Sequence, residues 1–251
     1  MGAALKASGW HLVGSALVVA LVAALVFGLW YPYPYQSLAG GLELFGLLVG
    51  VDLICGPLLT MVLFNPRKSH NELFRDVGLV VMIQLAALTY GLWSVMAARP
   101  VFLVFEVDRY RVVSAVDVDP GSLPEAIPSL RYLGYGGPRV IAAHVERQGG
   151  AEFLHSLDLS LKGLEPALRP GSWRDYGEFK SAVLARARPL VELQALNTEH
   201  LAVIAAAVAE TGISATQLGY LPVQGRNDLP WVALIAMDDA RVVGFVPVNG
   251  F

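Results

Sequence analysis

The chain has 251 residues, 55% of them hydrophobic and only 16% charged, with a formal net charge of −3 at neutral pH. That apolar content excludes an extended disordered chain, and the charge balance argues against a nucleic-acid binder. The single cysteine, Cys55, excludes an intrachain disulfide framework.

Three apolar runs fill the first hundred residues: Leu12 to Trp30, Leu44 to Phe64 and Val77 to Ala98. Each is close to the ~20 residues a helix needs to cross hydrocarbon. A bilayer gives backbone N–H and C=O groups no water to bond, so such segments must be helical. Lys6 followed by an apolar run is also how a cleaved signal peptide begins, but this run has spanning length and no small-residue cleavage pattern before its aromatic exit. Trp30, Tyr31, Tyr33 and Tyr35 read as an aromatic belt at the outer headgroup level, stiffened by Pro32 and Pro34.

Lys and Arg accumulate in short cytoplasmic loops. The first loop, Tyr31 to Glu43, has neither, whereas the second, Asn65 to Asp76, carries Arg67, Lys68 and Arg75. The expected topology is a cytoplasmic N-terminus, three transmembrane helices over residues 1–98 and an exported domain over 99–251. In a bacterium this makes a multi-pass inner-membrane protein with a periplasmic C-terminal domain.

Asp52 is the one charged residue in the second run. An ionised carboxylate there costs ~2.5 to 3.5 kcal/mol even on a lenient insertion scale, so it should be neutral, paired or facing a cavity. Gln84 in the third run is the obvious polar neighbour, and Pro57 frees a carbonyl one turn earlier. An interhelical hydrogen bond worth ~0.6 kcal/mol accounts for the pair without a functional role. The functional alternative is a groove at Asp52 that receives another protein's membrane helix. One acid is too few for an ion path.

After Arg99, Val101 to Val107 and Arg111 to Val118 read as strands around the turn Glu106-Val107-Asp108-Arg109. Asp119 to Pro138 reads as loops, and regular structure resumes at Arg139 to Glu146. Gly150 to Leu161, Tyr176 to Arg188 and Thr198 to Glu210 are expected helices, the last with Asn197 as N-cap and Gly212 as its stop. Trp231 to Met237 and Arg241 to Val248 form an expected hairpin, and Tyr220 to Val223 an edge strand because of Pro222. The fold expectation is an α+β domain with antiparallel strands.

Catalytic chemistry is not apparent. His11, His70, His144, His155 and His200 lack metal-binding spacing, and no nucleophile elbow, Walker loop or dinucleotide fingerprint occurs. Asp117 with Asp119 and Asp238 with Asp239 read as solvated turns rather than cation sites. Glu106, Asp108, Arg109 and Arg111 could form a binding cluster or a salt-bridged strand face. The expectation is no enzyme, no cofactor and no metal. The competing class is a membrane-tethered periplasmic ligand sensor or envelope enzyme, in which distant residues such as Asp175, His155 and Tyr176 would have to converge.

The chain resembles type IV pilin accessory proteins of the TfpX/TfpZ type. The resemblance is carried by Phe27-Gly28-Leu29-Trp30-Tyr31-Pro32-Tyr33-Pro34-Tyr35, Gly40-Gly41 with Leu44-Phe45, Val51-Asp52 with Gly56-Pro57-Leu58-Leu59-Thr60, Phe64 to Ser69, Gln84-Leu85 with Tyr90-Gly91, and Ala98 to Tyr110. Trp231-Val232-Ala233-Leu234 and Val243 to Pro247 are also similar. The resemblance implies a non-enzymatic, chaperone-like helper of pilin stability, pilus assembly or the balance of extension and retraction. Its implied partners are a cognate major pilin, the inner-membrane assembly machinery and membrane lipid, with no nucleic acid. Gly46, Gly50 and Gly56 sit at close-approach spacings where a pilin helix, or the protein's own helices, could pack.

Overall fold

In the computed structural model the described residues are 2–64, 68–145, 154, 158–226 and 229–251, without side chains for 2–4 and 70. They divide into two compact units, Met1–Arg99 and Pro100–Phe251.

The first unit is helical. Helix α1 spans Gly2–Leu25 and ends in a π-helical turn, Val26–Trp30. A short helix α2, Tyr35–Leu38, leads to α3, Gly41–Leu63, and α4 covers His70–Ala97. Among the described residues three segments, Leu5–Trp30, Gly41–Leu63 and Asn71–Ala97, are long and apolar enough to cross a membrane. Helix α4 starts a full two turns before its apolar run because Ser69 caps it: Ser69 Oγ accepts from Glu72 N at 3.3 Å and Glu72 Oε2 accepts from Ser69 N at 3.0 Å. Helix α3 packs against both α1 and α4, with Phe27 edge-on to Phe45 at 5.0 Å and Leu48 filling the space that Gly91 leaves open.

The aromatic exit differs from a headgroup belt. Trp30, Tyr31 and Tyr35 are buried and only Tyr33 is exposed. Tyr31 donates to Val95 O at 3.0 Å, and a Cβ on Gly41 would run into its ring. The phenol therefore clamps the end of α4 to the start of α3, a packing role that requires glycine at 41.

The second unit is built on an eight-stranded sheet: β1 (Pro100–Glu106), β2 (Arg109–Ser114), β3 (Arg139–Ala143), β4 (Trp173–Asp175), β5 (Arg188–Pro189), β6 (Leu218–Gln224), β7 (Trp231–Ala236) and β8 (Val242–Val246). The order is β4-β3-β1-β2-β6-β7-β8, with β5 also on β6. The sheet is mixed, which corrects the antiparallel expectation. Neighbours joined by tight turns, β1 with β2 and β7 with β8, are antiparallel, whereas β3 joins β1 and β6 joins β2 in parallel. Long connections make parallel return feasible, and the Pro- and Gly-rich stretch 115–138 supplies one of them.

Register places the main side chains of two apolar clusters on the same face. Phe102, Val104, Val113, Ile141 and Trp173 pack under the 3₁₀ turns Pro120–Glu125 and Pro128–Leu130, with Trp173 donating its indole N–H to Ala167 O at 2.9 Å. Tyr220, Leu234 and Val246 pack with Leu190, Leu193 and Ile204 of helices α6 (Leu190–Leu196) and α7 (Leu201–Thr211), which follow α5 (Lys180–Arg186).

Three local expectations change. Asn197 does not cap α7: its amide donates to Leu193 O and Asn249 O at 3.0 and 2.8 Å, closing α6 and holding the C-terminal segment. Strand β6 is not an edge strand. Pro222 is tolerated because β5 pairs only with Gly219 and Tyr220 and β2 only with Val223 and Gln224, leaving a gap on that side. The Tyr176 to Arg188 helix shrinks to α5, preceded by a 3₁₀ turn and followed by β5. Gly212 ends α7 in a left-handed conformation, φ 66°, as a C-terminal stop requires. Most of the helix expected over Gly150 to Leu161 lies outside the described residues.

Candidate functional site

The polar centre of the helical unit is built on α3. Asp52 is 8% exposed, and the Gln84 amide donates to both its backbone oxygen and its Oδ1 at 3.2 Å. Gly56 makes this possible, because any Cβ there would overlap the Gln84 amide. Gly56 thus serves packing within the protein's own helices. Gly46 and Gly50 meet nothing within 4 Å of an added Cβ and face open space.

One to two turns along α3, Ser8 of α1 donates to Pro57 O at 2.9 Å, using a carbonyl beside the helical proline. His11 Nδ1 lies 2.6 Å from the hydroxyl of Thr60, which is 2% exposed.

Asp52, His11 and Thr60 line a cleft of about 710 Å³ bounded by α1, α3 and α4. Its walls are apolar, with Trp10 and Val18 from α1 and Phe74, Val81 and Leu88 from α4. Its floor is polar, with Asp52 and Thr60 from α3, Ser15 and His11 from α1, and Gln84 from α4. Asp52 Oδ2 has no hydrogen-bond partner among the described residues, and Gln84 Oε1 is buried without one.

Asp52 and Gln84, singled out from the sequence, meet here, and Pro57 offers its carbonyl to Ser8, whereas the side chains from α1 are not among the residues expected from the sequence. The signal was available: Ser8, His11 and Ser15 recur at three- and four-residue intervals, the polar stripe of one helix face.

In the sheet unit, Glu106, Arg109 and Arg111 share one face of the β1–β2 hairpin by register, and Asp108 sits in the turn. Their bonds are internal. Glu106 Oε2 accepts from Ala167 N at 2.7 Å, Arg111 pairs with Glu165, Arg109 bonds Asp108 at 2.9 Å, and the Arg109 guanidinium lies 5.0 Å from the Phe251 ring centroid. Burial lowers the pKa of the neighbouring Arg169 guanidinium, and the Glu106 charge acts in the opposite direction. The cluster pins the segment 165–168 across the strand ends.

The acidic pairs are turn formers. Asp117 accepts from Ser114 N, Asp119 from Gly121 N and Asp239 from Arg241 N, each at 3.0 or 3.1 Å. Among the described residues no group of three or more His, Cys, Asp or Glu could hold a metal ion. The Tyr176 hydroxyl lies 2.6 Å from that of Tyr110 and donates to Ala240 O at 2.5 Å. Burial raises its pKa, the Tyr110 bond opposes this, and the Asp239 charge adds to it. Asp175 is exposed on β4, and His155 lies outside the described residues.

The family model described as "Fimbrial assembly protein FimB" matches residues 1–40, from α1 through the buried aromatic exit. A fimbrial assembly protein of Dichelobacter nodosus, serogroup I, is 34% identical over 233 residues, covering 92% of this chain and 90% of the relative. The serogroup E1 protein of the same organism is 33% identical over the same shares, and that of serogroups C1 and C2 is 46% identical over 123 residues, 49% of this chain and 94% of the relative. No solved structure matches. With similarity running through both the helical and the sheet unit, the chain belongs to the fimbrial assembly protein FimB family.

Proposed function

We propose that the protein is a non-enzymatic, inner-membrane accessory factor of type IV fimbrial assembly, of the TfpX/TfpZ kind, that engages a cognate major pilin. The observation that carries this reading is similarity over 92% of the chain to a fimbrial assembly protein. Three apolar helices of spanning length support membrane insertion, and the loop charges support a cytoplasmic N-terminus with the sheet unit in the periplasm. A pilin before assembly has the same division, an apolar helix in the bilayer and a folded head outside it. A factor with both kinds of unit can hold each part and thereby protect the pilin, deliver it to the assembly machinery or bias extension against retraction. Surrounding lipid completes the partner set, and neither cofactor nor metal enters the reading.

The test is recovery of a tagged copy from its native host in mild detergent after in-cell crosslinking, with bound proteins identified by mass spectrometry. Enrichment of the major pilin, reduced when residues 100–251 are deleted, is the expected result. Reproducible absence of pilin and assembly machinery, with the protein intact and abundant, overturns the reading.

A further inference from the structure

The cleft of the helical unit carries a more specific statement about how a partner is held, one that rests on the function proposed above. Its walls are apolar and belong to two helices of membrane-spanning length, so within a bilayer those walls lie at hydrocarbon depth. A cleft that served only lipid tails would have an apolar floor throughout. Here the floor holds Asp52, Gln84, His11, Ser15 and Thr60.

The hydrogen bonding of that floor is unbalanced. The Gln84 amide nitrogen is the donor to Asp52 O and Oδ1, while among the described residues Asp52 Oδ2 has no hydrogen-bond partner and Gln84 Oε1 is buried without one. Asp52 is more than nine-tenths buried, and it lines the cleft. Away from water an unsatisfied polar atom is costly. Two acceptor oxygens of the floor, Asp52 Oδ2 and Gln84 Oε1, thus lack a donor among the described residues.

We infer that the α1/α4 cleft is the seat of one pilin membrane helix, which packs as a fourth helix and presents a hydrogen-bond donor to Asp52 Oδ2. Apolar side chains of that helix meet Trp10, Phe74, Val81 and Leu88, and its polar group meets the floor at one depth. That single polar contact sets register and excludes purely apolar helices, because an occupant without a donor leaves the carboxyl oxygen sealed off and unpaired. The glycine-lined side of α3 at Gly46 and Gly50 is not the seat.

The experiment places a photocrosslinking amino acid at Trp10, Phe74 or Leu88 in the full-length protein in its native host, with parallel probes at Gly46, Gly50 and exposed positions of the sheet unit. The expected result is a pilin adduct from the cleft positions. Asp52→Leu removes the acceptor and Gly14→Phe fills the cleft at a position where an added Cβ meets nothing within 4 Å. Each should lower the cleft adduct about tenfold with the protein's own level unchanged, and Asp52→Asn should lower it less than Asp52→Leu. Leu47→Phe, on the exposed side of α3, should leave it unaltered.

Pilin adducts at Gly46, Gly50 or the sheet unit but none in the cleft overturn this inference and leave the proposed function standing. So do adducts in the cleft that persist at full yield in both Asp52→Leu and Gly14→Phe, or lipid adducts there in place of pilin. Absence of pilin adducts at every position overturns both.

Discussion

The helical unit and the sheet unit use their polar residues in opposite ways. In the sheet unit the candidate cluster is consumed locally: Glu106 is bonded to the Ala167 amide, Arg111 to Glu165 and Arg109 to Asp108. In the helical unit the polar groups are gathered around one cleft, and Asp52 keeps an oxygen with no partner among the described residues. A sequence cluster of charges is therefore weak ground for an interface where strands and loops lie close enough to neutralise it. A single acid in an apolar helix is stronger ground, since so few groups within reach can satisfy it.

Substitutions in the two units should separate these two uses of polar residues. The largest effect is expected from Trp173→Ala, which removes a fully buried ring that touches Phe102 at 4.8 Å and bonds Ala167 O. The loss should be about 3 to 5 kcal/mol of sheet-unit stability, read by denaturant titration with limited proteolysis. Pilin recovery should fall only as far as folded protein falls.

Next is Gly56→Leu, which overlaps the Gln84 amide and forces α3 and α4 apart at Asp52. A cost of about 1 to 3 kcal/mol is expected in thermal unfolding in detergent. Unchanged melting would mean that the Asp52–Gln84 contact does not fix the helix packing.

Glu106→Ala should cost about 1 kcal/mol by freeing the Ala167 amide, and pilin recovery should persist. If instead this variant, or Arg109→Ala, folds normally and loses pilin, the hairpin cluster is an interface and the contrast drawn above fails.

The smallest effect concerns alkaline pH. Burial raises the folded-state pKa of Tyr176 above the ordinary phenol value of ~10. The unfolded chain then releases this proton first and binds fewer protons than the folded one. Stability from this source is complete below about pH 10 and declines as pH rises through the folded value. Tyr176→Phe should flatten that alkaline limb of the stability profile, and an identical limb in the variant would remove Tyr176 as its cause.

Much of this was legible in the sequence, in ways that follow from the range of the forces involved. Apolar run length specifies three long helices because the constraint is local, one residue after another along a helix axis. The β1–β2 and β7–β8 hairpins follow from short turns between β-branched runs, and Gly212 from the left-handed backbone needed to stop α7. The pairing of Asp52 with Gln84 was legible because an apolar surround leaves so few alternatives.

What the tertiary structure alone decided are relations between distant segments. The parallel entries of β3 and β6 depend on where long connections return the chain, which no local pattern encodes. Pro222 sits inside a sheet because two short neighbours stop on either side of it, and Asn197 turns away from α7 because Asn249 arrives from the other end of the domain. Tyr31 becomes a buried clamp rather than a headgroup anchor because Gly41 and Val95 O meet it across three helices. The cleft belongs to the same class: residues 7–18 and 73–88 wall it, and only the packing of both helices on α3 leaves its polar floor uncovered. Sequence fixes what each segment prefers by itself, whereas an unfilled space exists only once several segments have been brought together.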